Sequence, residues 1–461
     1  MEKFIISNRE DSNGTRFLGL ISAFYVAKRN NIKPCFTWSE SIEKLVATEM
    51  NLQVDKSFSN QKIISTNIDL KEDIFAQNFI NAYCIEQSKI NDIFSVYKES
   101  VNGLKHFEEF IKKGDKTFYE APFWMMYYWK DVDKEDYLKQ AKYIWENEIV
   151  FTPKIFDIIT SAKKQAEKIE NYIALHIRNG DTVYSYANFR KYNLSTTYHA
   201  TPYEIAIEII QKELSLGNKI VVFTDDISSV EEILRIVKSK NIFFANDLRD
   251  FDSLTPTQML IYDITLMSKA DKIYGTYSAV TRLSSIIAGH GQHINPYELF
   301  SKKEFYNVMK KNFNLLKLHP DQKAFSLFHL YLSGLKNNEK FEILESYLKM
   351  ALEFDNENDK YRIYIVDCLM KQGKIKAAEE YLQEIFKTRK KEFMSLLLPN
   401  KGESSFLKLL INYHINNSPK YKHIYDIYLK SLECIPKYFH KKRHKITLGK
   451  LLKKTCLRKR F

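Results

Sequence analysis

Short apolar runs closed by polar turns alternate with stretches of helical spacing through the first two thirds of the chain. Lys3–Ser7 predicts a strand and Asn8–Thr15 a polar turn. Arg16–Asn30 predicts a helix with Phe17, Leu20, Ile21, Phe24 and Ala27 on one side. After a break at Asn30-Asn31, Lys33–Trp38 predicts a second strand, which makes a βαβ unit and a parallel sheet. Residues 40–150 are mixed and rich in helical spacing. A second series opens near Asn171, with strands predicted at 172–177, 219–224, 241–245 and 271–275. Helices are predicted at 203–215, 228–239, 256–269 and 278–289. The class expected is therefore α/β. Two Rossmann-like lobes, 1–160 and 161–315, enclose a cleft at the carboxyl ends of their strands.

Beyond Pro320 the spacing is helical only. A repeat of period 34 aligns Leu335 with Leu369, Phe341 with Ile375, Glu345 with Glu379, and Tyr347-Leu348 with Tyr381-Leu382. That period belongs to tetratricopeptide-like (TPR-like) helical pairs; a plain pair of helical hairpins fits the two visible units equally well. An all-α region over 320–435 is expected, with a further helical pair within 403–434.

The net charge of +13 changes the picture only at one end. Lys437 to Phe461 carries eleven Lys or Arg and no acid, interleaved with Ile446, Leu448, Leu451, Leu452 and Leu457. Such a tail, 436–461, suits an anionic membrane surface. A solvated tail and nonspecific nucleic-acid affinity are the competing readings. Cys35, Cys84, Cys368, Cys434 and Cys456 form no CxxC pair, which argues against a disulfide or zinc framework. The opening residues show no signal-peptide apolar region, and no apolar run reaches membrane-span length. These features point to a cytoplasmic protein, peripheral on the inner face of the plasma membrane through the tail.

Candidate chemistry gathers at predicted strand ends. His176-Ile-Arg-Asn-Gly-Asp181 breaks a strand into a turn where the Arg178 guanidinium can neutralise a diphosphate; His176 is alternatively a histidine satisfied within the sheet. Asp225 and Asp226 close the strand Lys219–Thr224, either facing a ligand or capping the next helix. Ser278, after Gly275-Thr276-Tyr277, suits a helix N-cap whose amides face an anion. The early turn Asp11–Arg16 carries Asn13, Gly14 and Arg16 ahead of a helix, where it can hold an anion or sugar hydroxyls, although Asn and Gly also serve such turns for conformational reasons alone. The aromatic run Phe118–Trp129 either lines a sugar site or packs a core. Asp131-Val-Asp133 and Asp250-Phe-Asp252 match the DxD pattern of manganese-binding transferases, but loop acids account for both more simply.

Taken in order, His176–Asp181, Val221–Asp226 and Met267–Gly289 resemble the three motifs of the metal-independent fucosyltransferase superfamily, which includes α1,2-, α1,6- and protein O-fucosyltransferases. Asn13, Gly14 and Arg16 resemble its glycine–asparagine–arginine turn. The resemblance spans about residues 1–300 and implies a GT-B-like fold with inverting transfer from GDP-fucose, without a metal or cofactor. It implies Arg178 on the β-phosphate, His176 and Asp263 on guanine, and Thr276 and Ser278 at phosphate. Many members carry a second arginine where this chain has Asn179, and no Glu follows between Asp181 and Arg190. The general base is therefore unassigned, with Asp181 as the candidate beside Arg178. The partners expected are a nucleotide-sugar donor and a glycan or glycolipid acceptor of the surface-polysaccharide kind. A protein partner is expected on the helical region, and no specific nucleic acid. The rival reading is a non-catalytic transferase-like protein that docks partners through its helical repeats.

Overall fold

The computed structural model describes residues 2–39, 49–50, 61–64, 68–123, 126–184, 199–250, 253–397, 406, 409 and 419–430. The basic tail, Cys434, Cys456, Asp252 and most of 403–434 lie outside them. The chain divides into two compact units, Met1–His319 and Pro320–Phe461.

Among the described residues the first unit carries ten strands: β1 (Phe4–Ser7), β2 (Lys33–Phe36), β3 (Glu49–Met50), β4 (Gln61–Lys62), β5 (Ile93–Ser95), β6 (Phe118–Glu120), β7 (Tyr172–Ile177), β8 (Lys219–Thr224), β9 (Ile242–Phe244) and β10 (Lys272–Tyr274). One sheet has the order β2-β1-β6-β5 and a second the order β10-β7-β8-β9. Every pairing in both is parallel, with Phe4 opposite Lys33 and Phe118, and Ile177 opposite Thr224. Parallel pairing requires a crossover between successive strands. Helices supply it here, so the carboxyl ends of a sheet's strands share one edge. β3 and β4 form a separate antiparallel ribbon.

The mixed region 40–150 hides two strands of the first sheet. β5 and β6 are three residues each, too short for a two-residue alternation to register. Helix Asn13–Asn30 starts earlier than its apolar spacing suggests, so Asn13 and Gly14 are its first residues rather than turn. It is buried on nearly every side: Leu18, Tyr25 and Val26 are covered along with Phe17, Leu20, Ile21 and Phe24. Phe17 sits among the rings of Trp38, Phe75, Trp145 and Phe151, at centroid distances of 5.8, 6.2, 5.4 and 6.3 Å. Residues from 70–151 thus wall the core of the first helix. Each such ring contributes about 1.5–3 kcal/mol through burial.

The second unit contains helices Pro320–Lys336, Phe341–Phe354, Asp359–Lys371, Ile375–Thr388 and Lys390–Leu397, each packed on its neighbour in sequence. The 34-residue period maps the second of these onto the fourth. Leu348 and Leu382 are both fully buried. Glu345 accepts from Gln372 Nε2 at 2.7 Å, and its counterpart Glu379 accepts from the His423 amide at 2.8 Å. Among the described residues no helix is long and apolar enough to cross a membrane. Burial raises the Cys35 and Cys368 thiols to about 12, which leaves them unreactive.

Candidate functional site

The turn after β7 is tied to the end of β8. The amides of Asn179 and Gly180 both donate to Asp225 Oδ1 at 2.9 Å. Asn179 is fully buried. Its side chain donates to the Thr201 carbonyl at 2.7 Å and accepts the Thr201 amide at 3.0 Å. The position where the resemblance expects a second arginine is therefore a backbone clamp. These bonds hold the backbone just after Arg178, whose Nη1 lies 3.4 Å from His199 Nδ1. A Cβ on Gly180 would stand 2.9 Å from both Cγ and the carbonyl oxygen of Asp225. Gly180→Ala is expected to push the turn off Asp225 and cost about 1–3 kcal/mol, measured by denaturant unfolding.

Arg178 opens into a cleft also lined by Ser12, Asn13, Gly14, His176, Asp225 and Asp263. The remaining wall includes Pro256, Met259, Leu260, Ala279 and Val280. Three helices begin there: Asn13–Asn30, Pro256–Met267 and Ala279–Ala288. Their amino ends are bound together. Asn13 Nδ2 donates to Thr257 Oγ1 at 2.9 Å, and a Cβ on Gly14 would stand 3.1 Å from Ala279 Cβ. Three positive helix ends and a guanidinium around one space suit an anion. The enclosed part is about 110 Å³. Closed ligand pockets hold about 300–1,000 Å³, so a ligand the size of a nucleotide sugar projects out of this one.

The other residues singled out in the sequence fall around this cleft in distinct ways. Asp263 lines it and is paired with Arg249, whose side chain is 1% exposed. Burial pushes the Asp263 carboxyl up, with Arg249 opposing. Asp226 does not line the cleft. It is buried, accepts from the Tyr203 hydroxyl at 2.8 Å and Ser229 Oγ at 2.7 Å, and caps helix Ile227–Ile236. Thr276 and Ser278 are also buried. Thr276 Oγ1 donates to the His199 carbonyl at 2.6 Å, and Ser278 Oγ caps the 279–288 helix through the Thr281 amide at 3.2 Å. They shape the helix mouth from beneath. Arg16 lies below the first turn of its helix, donating to the carbonyls of Asp11 at 2.6 Å and Ser39 at 2.8 Å. The Asp181 backbone belongs to helix Gly180–Tyr184; its side chain lies outside the described residues.

Both acids of the first DxD pair are helix caps. Asp131 accepts the amides of Leu104 and Lys105 at 3.0 and 2.8 Å, and Asp133 caps helix Lys134–Tyr143. Among the described residues no group of three or more His, Cys, Asp or Glu is gathered to hold a metal ion. A larger hollow of about 480 Å³, lined in part by Trp145, Phe156, Lys163 and Lys269, contains none of the residues above. The sequence reading missed Arg249 and Thr257. Arg249 carries no local signal. Thr257 had one: Thr255 and Gln258 form a capping box with Pro256 between them, which marks a helix start at the cleft.

No family model matches the chain, and no curated protein matches it. Solved structures similar to it include the α-1,6-fucosyltransferase NodZ soaked with GDP-fucose, at 13% identity over 62% of this chain and 93% of that chain, TM-score 0.37. They also include the fucosyltransferase NodZ from Bradyrhizobium, at 14% identity over 62% of this chain and 92% of that chain, TM-score 0.33. Apo POFUT1 is similar at 13% identity over 64% of this chain and 97% of that chain, TM-score 0.31.

Proposed function

We propose that the chain is a glycosyltransferase that takes a nucleoside-diphosphate sugar into this cleft. The donor is GDP-fucose, and transfer inverts the anomeric centre within a GT-B-like pair of lobes, 1–160 for the acceptor and 161–315 for the donor. The observation that carries this reading is the meeting of Arg178 with three helix amino ends in one cleft. A diphosphate is the ligand whose paired charges use all four. As the bond from the anomeric carbon to phosphate breaks, charge builds on the departing diphosphate. The fixed guanidinium and amide dipoles stabilise it without reorganising.

Guanine suits the inner end. Its Watson–Crick edge offers two adjacent N–H donors, which a carboxylate accepts side by side, and Asp263 supplies a carboxylate beside His176. The choice of fucose rests on the motif resemblance. The acceptor is a surface glycan or glycolipid, approached with the help of the basic tail 437–461, while the TPR-like region 320–435 offers a partner surface.

A panel of nucleotide sugars tests the reading through release of the nucleoside diphosphate. GDP-fucose is expected to be consumed in preference to UDP- and ADP-sugars; consumption of none, or preference for a UDP-sugar, contradicts it. A pH series adds a second check. Burial raises the Asp263 carboxyl, so it takes up a proton at a higher pH than an ordinary aspartate. Protonation removes a guanine acceptor. GDP affinity is therefore expected to fall on acidification, beginning above the pH range in which an ordinary aspartate titrates, read by titration calorimetry.

A further inference from the structure

The carboxyl edge of the first sheet carries a polar cluster that donor binding leaves unused. Ser95 ends β5, Glu120 ends β6, and Arg9 and Asp11 lie in the turn after β1. Ser95 Oγ donates to Glu120 Oε2. Arg9 donates to Asp11 through Nε at 3.2 Å, while its Nη1 stands 4.0 Å from Glu120 Oε1. Its guanidinium covers the Phe123 ring at 4.2 Å and the Tyr97 ring at 5.3 Å. The Glu120 side chain is only 9% exposed. Burial raises its carboxyl, against the Ser95 bond and the Arg9 charge. Packing alone does not call for this, since apolar residues of similar size are often as stable as a buried ion pair or more so. A buried carboxyl at the carboxyl end of a parallel strand stands where ligands of such sheets bind, which makes Glu120 a candidate working group.

The cluster lies close to the donor cleft. Arg9 and Phe123 meet helix Asn13–Asn30 at Gly19, where a Cβ would stand 3.3 Å from Arg9 Cγ and 3.6 Å from Phe123 Cβ. Gly14, on the same helix, lines the cleft. Five residues of helix separate the two positions by about 7.5 Å. Phe123 also shares a crevice with Tyr128 and Arg282. Arg282 is two residues beyond Val280 of the cleft wall.

Resting on the transferase reading, we propose that the acceptor hydroxyl enters between these edges and that Glu120 takes its proton. The acceptor oxygen bonds to the anomeric carbon as the bond from that carbon to phosphate breaks, its electron pair leaving on GDP. The hydroxyl proton passes to Oε1 of Glu120, while Ser95 holds Oε2 and Arg9 orients the carboxylate.

GDP-fucose with water as the acceptor tests this without knowledge of the glycan. With GDP-fucose saturating at every pH, so that the titration of Asp263 drops out, Glu120→Gln is expected to keep GDP affinity within threefold of wild type, to lower GDP release about 10²–10⁴-fold, and to abolish the acid limb of the pH–rate profile. Release within threefold of wild type, or an acid limb that persists, overturns the proposal. Ser95→Ala guards against a variant that fails to fold. Losing the bond to Oε2 raises the carboxyl further, so the acid limb is expected to move to higher pH, and an unmoved limb overturns the assignment. If wild-type protein binds no GDP, the transferase reading itself is overturned, and this inference with it.

Discussion

Arg178→Ala is expected to lower transfer about 10²–10³-fold while the protein stays folded. The side chain is partly buried at the cleft wall. The turn that carries it is held by the Asn179 and Gly180 amides on Asp225 and by the Asn179 clamp on Thr201, none of which the substitution touches. The loss should fall on kcat more than on donor affinity. Three helix amino ends still hold the ground-state diphosphate, whereas the extra charge of departure has lost its guanidinium. Arg178→Lys is expected to recover only part of the rate, because an ammonium cannot reproduce the two-pronged bond. Unchanged turnover by Arg178→Ala, measured on GDP-fucose, contradicts the assignment.

The largest stability effect is expected at Arg249. Its side chain is 1% exposed and paired with Asp263 in the cleft wall. Arg249→Ala leaves the Asp263 carboxylate buried without its counter-charge, at a cost of about 3–5 kcal/mol. The double variant Arg249→Met with Asp263→Leu removes both charges and is expected to regain most of that stability in urea unfolding. It should not regain GDP binding, since the guanine acceptor is gone. Recovery of binding in the double variant separates Asp263 from base recognition and assigns the pair to packing alone.

The legible parts of this molecule are those where one residue type serves one need over a long enough stretch. β7 and β8 are six-residue apolar runs ending in polar turns, and period and break together expose them. The 34-residue repeat is legible because Leu348 and Leu382 fill equivalent buried positions. β5 and β6 are illegible because three residues cannot show alternation, and their place in the sheet depends on the pairing of β6 with β1, more than a hundred residues away, and of β5 with β6. Asp225 and Asp226 are neighbours in sequence and identical in type, yet only Asp225 lines the cleft. The other closes on Tyr203 and Ser229. No local pattern separates them; the direction each takes is decided by the turn after β8. Arg16 shows the same limit. An arginine at a helix start reads as an anion ligand, but the chain folds it back onto the Asp11 and Ser39 carbonyls.

A crystal structure with GDP bound tests most directly whether Arg178 and the helix mouths hold one diphosphate. The account predicts the β-phosphate within hydrogen-bond reach of the Arg178 guanidinium and the amides at Ala279 and Val280, with guanine against His176 and Asp263. GDP seated elsewhere, such as in the hollow beside Trp145 and Lys269, or bound with its phosphates turned away from Arg178, would contradict it.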